Sequence, residues 1–328
     1  MQASRAVLLS CIALACLVGA AQATIVIFGD SLSDNGNGAN PVVHDALSTA
    51  QIDVGIYPPA PYYKGHFSNG PTWPDVAAPA LGQELENLAT GNAATGSVPG
   101  AFTVEPPFAY LTAPAMVPVP SSYQQAMSYA ALHGGSVNPD NWYVIWIGAN
   151  DFVYTANGVQ QATVPGMIQY INMTMTAAYS AGARKFVVFN LPQLSSLPMF
   201  SAPFRNASAS ASAKAYLNAN VPTFNTMIAS LIQQYPTTHP GATVLPYDVN
   251  ALFNNVTSNL ATYGFTNAMD PCYMGPSFFE DITGFFDYPS CSNPSDHVFW
   301  DNVHPTKHFH HVLGNDFVAK LGAQIATI

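Results

Sequence analysis

Five short strand-like runs recur along the chain, and each stops at Gly, Asn, Asp or Pro: "TIVIFG" from Thr24, "ELENLA", "YVIWIGAND", "KFVVFNLPQL" and "ATVLPYD". The continuous ones, such as Ile25 to Phe28, have the β-branched and aromatic character of strands buried on both faces. Helix-patterned stretches lie between them. A short one surrounds "PTWPDVAAPALG", with Pro71 near its start and Gly82 as its stop. Others are expected near "SYQQAMSYAALHG", across 160–182 and across 210–235. The C-terminal stretch spaces Phe309, Val312, Leu313, Phe317 and Leu321 helically, with Pro305 at the first turn. Strand alternating with helix five times demands a parallel sheet covered by helices on both faces. No repeat, coiled coil or charge block interrupts the alternation, so residues 24–328 are expected to form one domain.

Residues 1–23 stand outside this pattern. Arg5, the apolar "AVLLSCIALACLVGAA" and the small-residue "AQA" ending at Ala23 make a secretory signal peptide, too short and wrongly flanked for a membrane span. Its removal takes the formal charge from -10 to -11. So acidic a chain, with only 8 Lys and Arg, cannot neutralise many phosphates, which argues against nucleic acid and against anionic lipid as electrostatic partners. Of four cysteines, Cys11 and Cys16 leave with the signal. Cys272 and Cys291 are expected to pair, closing a loop that contributes about 3 kcal/mol in the chain-entropy model. Sequons at Asn172, Asn206 and Asn255 offer glycosylation sites. Residues 34–80 read as a long irregular loop. Residues 98–122, with Phe102, Phe108, Tyr110, Leu111 and Met116, are too broken for a helix and too apolar for a free linker, so they are expected to pack as one wall of a cleft.

Three strands end in polar residues, where open α/β sheets collect ligands. Ser31 follows the first, Gly91 and Asn92 the second, and Asn150 with Asp151 the third; "FWDNVHPT" adds Asp301 and His304 three residues apart. Ester cleavage by serine needs a base, a group that orients the base, and donors aimed at the developing oxyanion. His304 and Asp301 supply the base and its orienting group for the Ser31 nucleophile. The Ser31 N–H, an N–H of the 91–92 turn and the Asn150 amide supply the donors. The bland readings are a Gly-Asp-Ser turn, an Asn-Asp helix cap and a surface Asp–His pair.

The motifs resemble those of the GDSL lipase/esterase group of the SGNH hydrolases. "FGDSLSDNG" is similar to its first block, with Ser31 on the nucleophile. "GAND" is similar to G-x-N-D, with Asn150 on the oxyanion-hole asparagine, and "DNVH" to D-x-x-H, which gives Asp301 and His304 their roles. "FSNGPTW", "FNLPQLSSLP" and "YGF" also resemble segments of the group, so the likeness runs from Thr24 to about Thr306. It implies a three-layer α/β/α sandwich with a five-stranded, mainly parallel, flavodoxin-like sheet. It also implies a cofactor-free, metal-free serine esterase working through an acyl-enzyme. One block departs: where the group has N-x-A-x-G-G-A, this chain has "NLATGNA", with Gly91 first and Asn92 in place of the second glycine. Asn keeps the backbone N–H and tolerates positive φ.

A zinc site on His304 and His308 fails for want of the Glu inside that pair. His308, His310 and His311 read as a solvated helix face, Asp30 and Asp151 as loop braces, and Phe299 and Trp300 as cleft wall or core. The expected protein is a secreted monomer acting on lipid acyl esters or on acetyl esters of glycans. A binding protein that has kept the fold without turnover is the rival of another class.

Overall fold

The computed structural model describes residues 23–39, 41–42, 45, 56–104, 115–275 and 288–326. The expected signal peptide, apart from Ala23, lies outside them, as do residues 105–114 of the apolar segment. Seven described strands form two sheets. The central one holds β1 (Thr24–Gly29), β2 (Glu84–Asn87), β5 (Trp142–Trp146), β6 (Lys185–Phe189) and β7 (Thr243–Tyr247) in the order β2-β1-β5-β6-β7. Every pairing is parallel, with Val26 opposite Tyr143 and Val144 opposite Val187. This is the flavodoxin-like order, and its switch point lies between β1 and β5, where a crevice opens at the carboxyl ends.

Side chains alternate across a strand, so residues an odd number apart face opposite ways. Tyr143 and Phe186 share one face with Phe28; Trp146 and Phe189 share the other with Tyr247. On the first face, Phe28 meets Tyr129 of α2 (Ser122–Leu132) edge-on at 5.9 Å. Phe186 meets Tyr235 of α5 (Ala207–Thr238) at 5.7 Å, and α4 (Val164–Ser180) packs between those helices. On the second face, Trp146 stacks on Phe189 at 5.1 Å. Trp73 of α1 (Trp73–Ala80) and Phe317 of α7 (Lys307–Ala326), 5.0 Å apart, close over that pair. The three-layer sandwich follows from that alternation.

The structure corrects four details. The segment expected as an irregular wall contains an antiparallel hairpin, β3 (Gly100–Val104) with β4 (Ala115–Val119). Two helices were not expected: α3 (Ala149–Ala156), entered directly from β5, and α6 (Val249–Ser258), capped by the Asp248 carboxylate, which accepts from Ala251 N–H at 2.9 Å. Pro305 precedes α7 rather than opening it. His310 is not on a solvated face: it is fully buried, while His311 is exposed and His308 packs on Phe265 at 4.3 Å. Cys272 and Cys291 are disulfide-bonded. Among the described residues no helix is long and apolar enough to cross a membrane.

Candidate active site

The turn after β1 is held by its own backbone: the Ser33 and Asp34 N–H groups donate to Asp30 C=O at 3.0 Å each. That leaves Ser31 at the strand's carboxyl end, 4% exposed. On the opposite wall, the chain just before α7 turns back on itself, with Trp300 N–H donating to His304 C=O at 2.7 Å. Inside that turn Asp301 Oδ1 accepts from the Val303 and His304 N–H groups at 2.7 and 2.6 Å. Its Oδ2 meets His304 Nδ1 at 2.7 Å, and His304 Nε2 lies 2.9 Å from Ser31 Oγ. Asp301 and His304 are fully buried. Three residues as far apart as 31 and 304 are thus joined in one hydrogen-bonded line. An imidazole so held accepts a hydroxyl proton, and the carboxylate behind it stabilises the imidazolium that results. Burial pushes the Asp301 carboxyl up, but the charge of His304 and the hydrogen bonds from His304 and Tyr62 outweigh it and hold the group below its ordinary value.

The other predicted residues line the same crevice. Gly148, in the left-handed region at φ 116°, turns β5 sharply into α3. Asn150 on the first turn of that helix is buried, and its Nδ2 donates to Ala93 C=O at 2.8 Å, leaving its second hydrogen for another acceptor. Gly91 and Asn92 have different duties. Gly91 N–H donates to Asp34 Oδ2 at 2.8 Å, and the same carboxylate gathers the Gly36, Gly38 and Ala39 N–H groups. Asn92 sits at φ 60°, and neither its N–H nor that of Ser31 meets an acceptor among the described residues. Asp151 braces the Thr95–Ser97 turn, accepting from Thr95 N, Thr95 Oγ1 and Ser97 Oγ at 2.9, 2.7 and 2.7 Å. Asp30 accepts from Leu32 N–H at 3.0 Å, while its buried Oδ2 has no partner among the described residues. Burial pushes its carboxyl up to about 7 against the pull of the Leu32 amide and of His304.

Beside Ser31 opens a pocket with walls that include Leu194, Leu197, Val249, Phe253, Phe299 and Phe309. Its polar side chains are those of Asp30, Ser31 and Asn150, with the Trp146 indole. Phe299 therefore walls the cleft, whereas Trp300 is buried in an aromatic group with Tyr273. Among the described residues no three His, Cys, Asp or Glu side chains converge as metal ligands would.

Two contributors escaped the sequence. Tyr62 O–H donates to Asp301 Oδ2 at 2.6 Å, and the Phe67 ring lies 5.2 Å from that of His304. Both belong to the irregular 34–80 loop, where no periodicity marks which aromatic ring turns inward. The block "FSNG" contains Phe67 but gives it no role.

A family model described as GDSL-like Lipase/Acylhydrolase matches residues 25–317. The chain belongs to this family. It is a GDSL esterase/lipase, a carboxylic ester hydrolase of the serine type. Its relatives include the thermolabile hemolysin of Vibrio parahaemolyticus serotype O3:K6 (strain RIMD 2210633), 27% identical over 292 residues. That match covers 87% of this chain and spans only 60% of the hemolysin's length. GDSL esterase/lipase 6 of Arabidopsis thaliana is 24% identical over 318 residues, covering 88% of this chain and 84% of the plant protein. Among solved structures, the acetyl xylan esterase AlAXEase is 11% identical with a TM-score of 0.41, covering 93% of this GDSL chain and all of the other.

Proposed function

We propose that this GDSL hydrolase cleaves esters of acyl chains longer than acetyl, through an acyl-enzyme on Ser31. Ser31 Oγ attacks the ester carbonyl as His304 Nε2 takes its proton, and Asp301 keeps the other ring nitrogen protonated and facing away. The tetrahedral oxyanion rests on Ser31 N–H, Asn92 N–H and the second Nδ2 hydrogen of Asn150, while Gly91 N–H holds the turn through Asp34. The imidazolium then protonates the departing alkoxide. In the second half His304 deprotonates water, which attacks the acyl carbonyl and releases the acid. The observation that carries this reading is the buried Asp301–His304–Ser31 line, with bonds of 2.7 and 2.9 Å.

The aliphatic and aromatic wall beside Ser31 favours a fatty acyl group over acetate. Each methylene buried there contributes about 0.8 kcal/mol, roughly fourfold in kcat/KM. On p-nitrophenyl esters from acetate to palmitate, kcat/KM rises from acetate until the pocket is full and then falls. Acetate as the preferred ester would overturn the acyl-chain reading in favour of an acetylesterase. Ser31→Ala loses both turnover and covalent fluorophosphonate labelling with the fold unchanged; a Ser31→Ala protein that still turned over would remove the nucleophile from the scheme. The enzyme is read as secreted, since the leader-like N-terminus and the Cys272–Cys291 bond both suit an oxidising compartment. Exposed Asn206 and Asn255 are then the sequons open to a glycan, and Asn172 the one half-buried on α4.

A further inference from the structure

Asp301 has a partner that the three-residue line leaves out. Its Oδ2 accepts two hydrogen bonds at once, from His304 Nδ1 at 2.7 Å and from the Tyr62 hydroxyl at 2.6 Å. With the two backbone N–H groups on Oδ1, the carboxylate is gripped by four donors, three of them from its own turn. Tyr62 alone comes from elsewhere in the chain, 239 residues away. Its ring is fixed before its hydroxyl is: it sits edge-on to Trp300 at 6.3 Å and to Tyr273 at 5.7 Å, and those two stack on each other at 5.5 Å. Tyr273 follows Cys272, whose disulfide and backbone bond to Phe299 C=O tie this aromatic group to the residues just before Asp301.

We propose that Tyr62 is a positioning residue of the catalytic machinery, acting through Asp301 to set the direction and the charge that its carboxylate presents to His304; this rests on the serine-esterase reading of the Ser31 site. Burial drives the phenol's pKa well above its ordinary value, so it stays a protonated donor through the working range. Its hydrogen bond is among those holding the Asp301 carboxyl low. Removing the hydroxyl therefore lets Asp301 take up a proton at a higher pH, where it stops orienting the imidazole. Among the described residues, Asp30 at the end of β1 and His310 on α7 also feel the charge of His304.

Tyr62→Phe tests this, because the ring keeps its contacts and only the hydrogen bond goes. On a p-nitrophenyl ester, kcat is expected to fall about tenfold with KM unchanged, the loss of one hydrogen bond to a charged group. The acid limb of kcat/KM against pH is expected to move to higher pH, and fluorophosphonate labelling of Ser31 to slow without being abolished. A Tyr62→Phe enzyme with parental kcat and an unmoved acid limb overturns the proposal, as does a loss confined to KM. Tyr62→Leu separates packing from polarity: it lowers Tm as well, whereas Tyr62→Phe leaves Tm within about 2 °C. Full activity in Ser31→Ala would instead sink the underlying reading, so the two failures are distinguishable.

Discussion

Phe67 decides which residue can stand at 91. A Cβ built on Gly91 runs into the Phe67 ring, and that ring lies tilted against His304. A side chain at 91 therefore reaches the His304 imidazole through one aromatic ring. Asn92 is buried, its side chain donates to Ala101 C=O at 3.2 Å, and its backbone holds φ 60°, which Asn does at little cost. That is why "GN" can replace a glycine pair here. Gly91→Ala is accordingly expected to displace Phe67 against His304 and to lower kcat at least tenfold, since reacting groups lose geometry steeply with displacement. Adding Phe67→Leu makes room and restores part of the loss. Assays of both variants check this; a fully active Gly91→Ala, or no recovery in the double variant, removes Phe67 from the account. The sequence placed Ser31, Asn150, Asp301 and His304 because each sits in a short motif at a strand end or turn. It could not separate Gly91 from Asn92, because the difference is made by Asp34 accepting one N–H and by a ring from a distant loop.

At the level of elements, the legible parts are those with a period. The buried strands β1, β5 and β6 carry short continuous apolar runs and α7 carries helical spacing, and each lies where that pattern puts it. The hairpin β3–β4 does not show, because Pro118 and Gly100 interrupt a run whose apolar content suggests cover rather than pairing. The short helices α3 and α6 have only eight and ten residues, and they begin inside motifs that otherwise read as strand tips. The disulfide was legible from an even cysteine count. Its duty was not, because pairing says nothing of what the loop touches. Cys272 N–H donates to Phe299 C=O at 3.0 Å and Tyr273 N–H to Trp300 C=O at 2.6 Å, so the residues at the crosslink are hydrogen-bonded to the two that precede Asp301. Replacing both cysteines by serine is expected to lower stability by about 3 kcal/mol, several degrees in Tm. At a temperature where the variant remains folded, kcat should fall as well. Calorimetry and kinetics on the same preparation read both; a variant with lowered Tm and parental kcat would reduce the disulfide to a staple with no bearing on Asp301.

Two buried groups near the site give the stability of the whole molecule opposite dependences on pH. Asp30, with a buried oxygen that no described residue satisfies, has its carboxyl raised from 3.8 to about 7. A raised carboxyl binds its proton more tightly in the fold, so its contribution is present at low pH and is lost as pH climbs from 3.8 through about 7. His310 is the reverse: burial, then the neighbouring charge of His304, lowers its imidazole from 6.5 to about 3, and neither ring nitrogen has a partner among the described residues. Its neutral form belongs to the fold, so stability is lost as pH falls from 6.5 towards 3. Between about pH 4 and 6.5 the two slopes oppose and largely cancel, and single substitutions should unmask them. Asp30→Asn removes the first: its unfolding free energy minus the parent's should be smallest near pH 4, grow to pH 7 and then stay level, reaching about 4 kcal/mol. His310→Leu removes the second, and its advantage over the parent should appear below pH 6.5 and widen towards pH 3. Taking differences from the parent cancels Asp34 and Asp151, which burial also raises. Scanning calorimetry from pH 3 to 9 supplies the curves. Differences that ignore pH in both variants would mean that neither group meets the buried environment seen here, while a slope of the wrong sign in one would relocate that group's proton between the folded and unfolded chains.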